Sequence, residues 1–390
     1  MALLCLVAAC SGDDDDHGDA APGDPVAGDE EIRLNEVQFL GSHNSYHLEP
    51  EPEVLTGIEV VSPALANAVE YSHLPLAEQL EDHGIRNFEL DVFADPEGGL
   101  YANRQALPVI SQDAASGEPA LDEPGFKVLH TQDFDFRTTC LTFVDCLDDI
   151  RGWSDDNPSH LPITIYVEVK TDTVEEAAAD VGVEIPADLP IDFTVPVDMT
   201  PELFEALEEE ITSVFPTDRL ITPDDVRGDA ATLREAVLAG NAWPTIDEAR
   251  GRVMFVMVNG DESRDVYRQG NPSLEGRLVF TQAEPGDPDQ AVVNMDSALT
   301  GSAGIMDLVQ QGFLGRARTD ADTIEARSGD IARRDASFDS GAQFLATDYY
   351  VEDPDLGTGF VVSLPGGGVA RCNPVNTPPG CSAEALVEPG

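Results

Sequence analysis

The chain has 390 residues, 42% of them hydrophobic, and carries 75 acids against 21 lysines and arginines, a formal charge of −54. That apolar share supplies a core for one large domain or two ordinary ones. So acidic a surface repels phosphate backbones, which excludes non-specific nucleic-acid binding, and it suits a salty or extracellular medium where screening tolerates the repulsion.

The first residues read MALLCLVAACSGDDDDHGDA. The apolar run is shorter than the roughly 20 residues that span a bilayer and lacks a basic leading segment. Its end, Val7-Ala8-Ala9-Cys10, resembles the lipobox of bacterial lipoproteins. The resemblance implies a signal over 1–10, truncated at its start, with Cys10 as the lipidated first residue. The expected product is an exported envelope lipoprotein, periplasmic or at the cell surface, or a secreted one. Residues 11–33 are rich in Asp, Gly, Pro and Ala; such a stretch buries too little to fold and reads as a solvated tether.

Cys5 falls in the signal and Cys10 at the lipid site, leaving Cys140 with Cys146 and Cys372 with Cys381. An even remainder in an exported chain argues for disulfides. Three pairings are possible, and the local one needs the least assumption. A zinc site is disfavoured, because no CxxC spacing or neighbouring histidine accompanies the cysteines.

From Glu36 onward, the runs VQFLGS, FELDVF, FKVLH, ITIYVEV, VMFVMV, LVFTQ, AVVNM and AQFLATDYY alternate with helix-like stretches such as LPLAEQLEDHG and ELFEALEEEITSVF. Near-continuous apolar strands separated by helices indicate parallel β/α units. About eight such units suit a (β/α)₈ barrel. A doubly wound sheet is the alternative, but no GxGxxG turn follows the first strand. The expected barrel occupies 34–363, with an acidic insertion at about 172–245. A Gly/Pro-rich segment stapled by a cysteine pair follows over 364–390.

Polar residues interrupt these runs with period two, so Glu89 and Asp91 share one face of their strand, and Glu168 and Lys170 one face of theirs. Barrel chemistry sits where strands meet their C-terminal loops. His43 and Asn44 follow the first run and His130 ends the third. Carboxylates and an amide oxygen are hard ligands suited to Ca²⁺. Two imidazoles without nearby thiols suit acid–base work. Lys127 and Lys170 are the only lysines in the chain, and Lys170 stands beside a candidate ligand. His47, His73, His83 and His160 read as structural or exposed.

The stretches GSHNSYH, ELDVF, VLHTQDFDF and YVEVK, in this order, resemble the catalytic barrel of phosphoinositide-specific phospholipase C. They are most similar to its bacterial calcium-dependent branch. The distal GRARTDADTIEARSGDIARRDASFDSGAQFLATDYY is similar to that branch as well, so the likeness runs from about Glu36 to Tyr350. It implies a phosphoric diester hydrolase with His43 and His130 as catalytic pair and Asn44, Glu89, Asp91 and Glu168 as Ca²⁺ ligands. The inositol 2-hydroxyl would attack the phosphodiester, giving cyclic inositol phosphate and diacylglycerol. A calcium-bound carboxylate would assist deprotonation, His43 would stabilise the charged transition state, and His130 would protonate the departing alkoxide. Lys170 and Arg318 would contact phosphate, and Tyr349 or Tyr350 would pack on the inositol ring. The implied partner is phospholipid at a membrane surface, met by a monomer anchored through Cys10.

Two rivals remain. Glycerophosphodiesterase-like or sphingomyelinase-D-like barrels also use two histidines and a carboxylate-bound dication. A non-catalytic lipid- or sugar-binding surface lipoprotein is the other, and retention of both histidines with all four ligand candidates counts against it. The charge adds tension, since an anionic lipid surface repels so acidic a chain.

Overall fold

A computed structural model describes residues 31–260 and 262–388. The lipobox-like segment with Cys10, and most of the tether expected over 11–33, lie outside the described residues. The strands, in chain order, are β1 (Val37–Ser42), β2 (Asn87–Phe93), β3 (Lys127–Val128), β4 (Ile163–Val169), β5 (Leu220–Ile221) and β6 (Val253–Met257). They continue with β7 (Val279–Thr281), β8 (Val292–Ser297), β9 (Leu314–Arg318), β10 (Phe344–Thr347) and β11 (Ala370–Cys372).

One sheet contains them all, ordered β5-β6-β4-β2-β1-β10-β9-β8, with β7 also on β6, β3 on β2 and β11 on β1. Strands β1, β2, β4, β6, β7, β8, β9 and β10 pair in parallel. A parallel bridge from Gln282, just past β7, to Val292 in β8 joins the two ends. The parallel strands therefore curl round in the manner of a (β/α)₈ barrel, as expected.

Two runs behave otherwise than their composition suggested. FKVLH forms only the two-residue β3, antiparallel to β2, and so supplies a hairpin rather than a barrel stave. The missing stave is β9, LGRAR, whose glycine and two arginines hid it among loop-like residues.

Helices cover the outside. Leu76–His83 packs on Phe143–Asp156, which packs on Pro201–Val214. Phe143–Asp156 starts where the Thr142 hydroxyl accepts from the Asp145 N–H at 3.1 Å, a cap that satisfies a donor the helix itself leaves open. Its buried Phe143, Cys146, Leu147 and Ile150 recur every three or four residues on the barrel side, as an amphipathic helix requires. Within the expected insertion at 172–245, helix Pro201–Val214 belongs to this outer ring. The rest comprises helices Val174–Asp180, Pro223–Arg227 and Leu233–Ala239, β5 and extended chain.

Disulfides join Cys140 to Cys146 and Cys372 to Cys381, the local pairing. The second anchors β11, which lies antiparallel to β1. No helix among the described residues is long and apolar enough to cross a membrane.

Candidate active site

The turn after β1 is held from several sides. The Ser45 hydroxyl accepts from the Glu89 N–H at 2.8 Å, the Ser45 N–H donates to the Glu89 carbonyl at 2.9 Å, and the Gln79 amide donates to the Ser45 carbonyl at 2.7 Å. Asn44 has φ +45°, a left-handed conformation that Asn tolerates better than most residues. Gly41 makes the approach of β2 possible, since a Cβ there would lie 2.5 Å from the Asn87 side chain. His43 and Asn44 are thereby fixed over the barrel mouth.

His43 Nδ1 donates to Asp348 Oδ1 at 2.8 Å, and its Nε2 lies 3.8 Å from Glu89 Oε2. Asp348, two residues past β10, also accepts from Arg318 at 2.8 Å through its other oxygen. Burial first, then the Arg318 charge, hold the His43 pKa well below the ordinary imidazole range. The ring is thus neutral, with its proton on Nδ1 and an open lone pair on Nε2.

A second histidine–carboxylate pair stands nearby. His130 Nδ1 donates to Asp135 Oδ2 at 2.6 Å, while the other oxygen, Oδ1, takes His47 Nε2 at 2.9 Å. His47 is fully buried and bonds the Tyr71 carbonyl through Nδ1 at 3.1 Å. Burial works to lower the His47 pKa, but the Asp135 charge and hydrogen bond outweigh it and the net shift is upward. Asp135, which burial alone would raise, is driven down by His47 and His130 and stays ionised. His47, which read as structural or exposed, is therefore part of the site.

Glu89 and Asp91 share one face of β2, as the period-two reading expects, but among the described residues the group whose ligand atoms lie within 4.8 Å of one another is His47, His130 and Asp135, not these carboxylates. Asp91 on β2 lies opposite Glu168 on the parallel β4. Lys170 Nζ reaches Glu168 at 2.9 Å and Asp91 at 3.5 Å. Arg316 crosses the barrel interior from β9 to pair with Glu89, its guanidinium 5.0 Å above the Tyr166 ring. The Asn44 amide N–H₂ donates to the Tyr71 hydroxyl at 3.2 Å, leaving its oxygen for another partner. Asp91 is 1% exposed, and neither of its carboxylate oxygens accepts a hydrogen bond from a described residue. Burial, opposed by Lys170, raises its pKa well above the usual carboxylate range. A buried carboxylate whose cationic neighbour, Lys170, stands as far off as 3.5 Å is costly. An all-oxygen group of this kind fits a hard dication.

Of the remaining expected contacts, Arg318 and Lys170 both stand at the site. Burial would depress each, but Asp348 for Arg318 and Glu168 for Lys170 raise their pKa and keep them charged. Tyr349 and Tyr350 line a cleft with Tyr71 and Asp348. The Tyr350 hydroxyl accepts from the Leu74 N–H at 3.0 Å and its ring stacks on His73 at 5.3 Å; Tyr349 meets Phe360 edge-on. Lys127 is fully buried on β3, where it donates to the Glu123 and Gly125 carbonyls.

Asp348, Asp135, Arg316 and His47 carried no separate signal in the sequence. The one available hint was spacing: His47 four residues after His43, and Asp135 five after His130.

A family model described as phosphoinositide phospholipase C, Ca²⁺-dependent, matches residues 32–374. No curated protein matches the chain. Among solved structures, a calcium-dependent phosphoinositol-specific phospholipase C from a Pseudomonas species is similar in its apo form. Identity is 17% and the TM-score 0.51, over 90% of this chain and 97% of that one. The myo-inositol complex of the Pseudomonas enzyme gives 16% identity and a TM-score of 0.51, over 87% and 95%. A Ca²⁺-dependent phosphatidylinositol-specific phospholipase C from Streptomyces antibioticus is 19% identical over 84% and 97%, with a TM-score of 0.47. At such identities the likeness to the Pseudomonas structures concerns the fold.

Proposed function

The chain belongs to the Ca²⁺-dependent phosphoinositide phospholipase C family and is a calcium-using phosphoric diester hydrolase; on that premise we propose that it cleaves phosphatidylinositol-type lipids by internal attack of the inositol 2-hydroxyl. The supporting observation is the pair of histidines, each tied through Nδ1 to a buried carboxylate, at the barrel mouth where Glu89 stands 3.8 Å from His43.

In this reading His43 Nε2, neutral and unprotonated, takes the proton of the 2-hydroxyl as the new O–P bond forms. This moves the base role from a carboxylate, where the resemblance put it, to the imidazole whose tautomer Asp348 sets. His130, held with its Nδ1–H on Asp135, gives a proton from Nε2 to the glycerol oxygen as the P–O bond breaks. The products are cyclic inositol phosphate and diacylglycerol. Water retraces the path on the cyclic ester, with the two histidines exchanging acid and base roles. Asp348 and Asp135 are positioning residues. Arg318 and Lys170 offer charge to the phosphate, and Tyr71, Tyr349 and Tyr350 form the wall beside it.

Asn44, Glu89, Asp91 and Glu168 would hold Ca²⁺. When bound, the ion supplies positive charge against the negative charge that develops on phosphorus-bound oxygen. The two disulfides fit an exported protein. Attachment of a monomer to the membrane through Cys10 completes the proposal, supported by the lipobox-like Val7–Cys10 run.

The test is a panel of vesicles containing phosphatidylinositol, phosphatidylcholine or sphingomyelin, plus soluble glycerophosphodiesters, each with Ca²⁺ or with a chelator. Turnover of phosphatidylinositol alone, abolished by the chelator, is expected. Preferential release of ceramide phosphate or glycerol phosphate, or no turnover at all, would overturn the reading.

A further inference from the structure

Beyond the polar site, a small apolar cluster separate from the main core sits over the barrel mouth, with Val54, Ile58 and Leu107 buried and Ile110 and Phe134 packed against them. Beside it opens a groove in which every lining residue has an apolar side chain or none; Ile58, Leu107, Ile110, Phe134, Val174 and Phe193 are among them. These residues come from the segments that follow the parallel strands β1, β2 and β4, on the face where those strands end, and from the loop after the hairpin strand β3 that carries His130.

The groove is joined to the catalytic loop by buried and half-buried hydrogen bonds. Asp133 accepts from the Gln105 N–H at 3.0 Å, the Thr194 N–H at 2.6 Å and the Thr194 hydroxyl at 2.9 Å. The neighbouring Gln132 amide donates to the Asp172 carbonyl at 3.2 Å and the Thr194 carbonyl at 3.3 Å. Two of the groove's lining segments, those after β2 and β4, are therefore fastened to the one loop that carries His130 and Asp135, with Phe134 lining the groove between Asp133 and Asp135.

Gly57 gives a second, independent indication. It lines the groove from the middle of helix Pro52–Val61. Its φ lies outside the left-handed region, and a Cβ added there would meet nothing within 4 Å. A glycine inside a helix weakens it, and here neither backbone geometry nor crowding calls for one. Its effect is to keep the groove open.

We propose that this groove holds one acyl chain of the lipid whose phosphodiester the site cleaves, so that the glycerol oxygen is presented to His130. The inference rests on the catalytic reading above. Its occupant follows from continuity: the apolar surface begins at the residue between the two carboxylates of the His130 loop, where an uncharged lipid leaving group departs.

The experiment measures kcat/KM for monomeric phosphatidylinositols with diacyl chains of graded length, below the concentration at which they aggregate, in the parent protein and in Gly57→Phe. Hydrolysis of cyclic inositol phosphate, which has no acyl chain, serves as the reference. In the parent, kcat/KM should rise about two- to fourfold per methylene, the increment that burying a CH₂ provides. In Gly57→Phe the series should flatten, and the ratio of dihexanoyl to cyclic-phosphate kcat/KM should fall about tenfold with the melting temperature maintained. A flat series in the parent, or a steep series untouched by Gly57→Phe, overturns the proposal. So does a chain-length effect confined to aggregated lipid, which would make this face a bilayer-docking surface instead. Should neither lipid nor cyclic phosphate be turned over, the catalytic reading fails. Titration calorimetry with dihexanoylglycerol then still decides the groove: binding by the parent that Gly57→Phe loses supports it, and no binding refutes it.

Discussion

Replacing Asp348 by Asn tests the proposed division of labour between the histidines. The carboxylate accepts from His43 Nδ1 at 2.8 Å and so places the lone pair on Nε2. A carboxamide can turn its N–H₂ to the ring instead, which moves the imidazole proton to Nε2 and removes the acceptor. Inverting the tautomer of a catalytic histidine in this way lowers kcat by up to about 10⁴. Asp348 also neutralises Arg318, and the freed guanidinium can engage phosphate more strongly, so the net loss is smaller than the full value. The expectation is a kcat decrease of about 10²- to 10⁴-fold, or about 3–5 kcal/mol of barrier, with KM changed little. The fold should survive, because the Asp348 backbone N–H keeps its 2.9 Å bond to Asp320. The assay is steady-state turnover of phosphatidylinositol in mixed micelles, with thermal melting as the control for folding. A folded Asp348→Asn protein within threefold of the parent rate would refute the assignment of His43 as proton acceptor.

Asp91→Asn removes the carboxylate that Lys170 approaches at 3.5 Å and should lower the melting temperature of the calcium-free protein by about 2–4 °C, since that cation loses part of its compensation at a cost of about 1 kcal/mol. The same variant should lose the melting shift that Ca²⁺ gives the parent; a retained shift in differential scanning calorimetry would remove Asp91 from the ligand set. Asp320 gives a pH signature. Burial, then Asp348, lift its carboxyl to about 7 in the folded protein. The unfolded chain ionises near the usual 3.9. Between those values the native state binds the extra proton, so stability falls by about 1.4 kcal/mol per pH unit as pH rises, then levels off above about 7. Asp320→Asn should remove that slope relative to the parent in a melting series from pH 4 to pH 8, and parallel slopes would contradict it. Reduction of Cys372–Cys381, which closes a loop of nine-residue separation, should cost about 2–3 kcal/mol in denaturant titrations. No change in midpoint would show that β11 does not depend on it.

How much of this was legible in the sequence follows from the range of each interaction. Glu89 with Asp91, and Glu168 with Lys170, were visible because two residues on one strand share a face whatever the rest of the chain does. His43 and His130 were visible as rare polar groups ending apolar runs. Asp348 was not, because its bond to His43 spans 305 positions and no local period reports a contact made only when the barrel closes. The neighbouring Tyr349 and Tyr350 stand out in the sequence by their aromatic rings, while the carboxylate beside them does not. Arg316 was missed for the same reason as its strand: LGRAR lacks the β-branched run that announces a stave. Its arginines are tolerated inside because Glu89 waits for Arg316 across the barrel and Asp348, just past the neighbouring β10, for Arg318. FKVLH misled in the opposite direction, since a short apolar run does not say whether its ladder will be parallel or antiparallel. His47 shows the limit of treating histidines singly, for its role emerges only through the carboxylate it shares with His130.

Following the phosphorus through a single reaction reaches the centre of the account. Phosphorus-31 NMR of phosphatidylinositol vesicles with the protein and Ca²⁺ should show a cyclic inositol phosphodiester as the first product, replaced only later by the acyclic monoester. First appearance of the acyclic monoester carrying solvent oxygen would mean that water, not the inositol 2-hydroxyl, attacks phosphorus, and would contradict the roles given to His43 and His130.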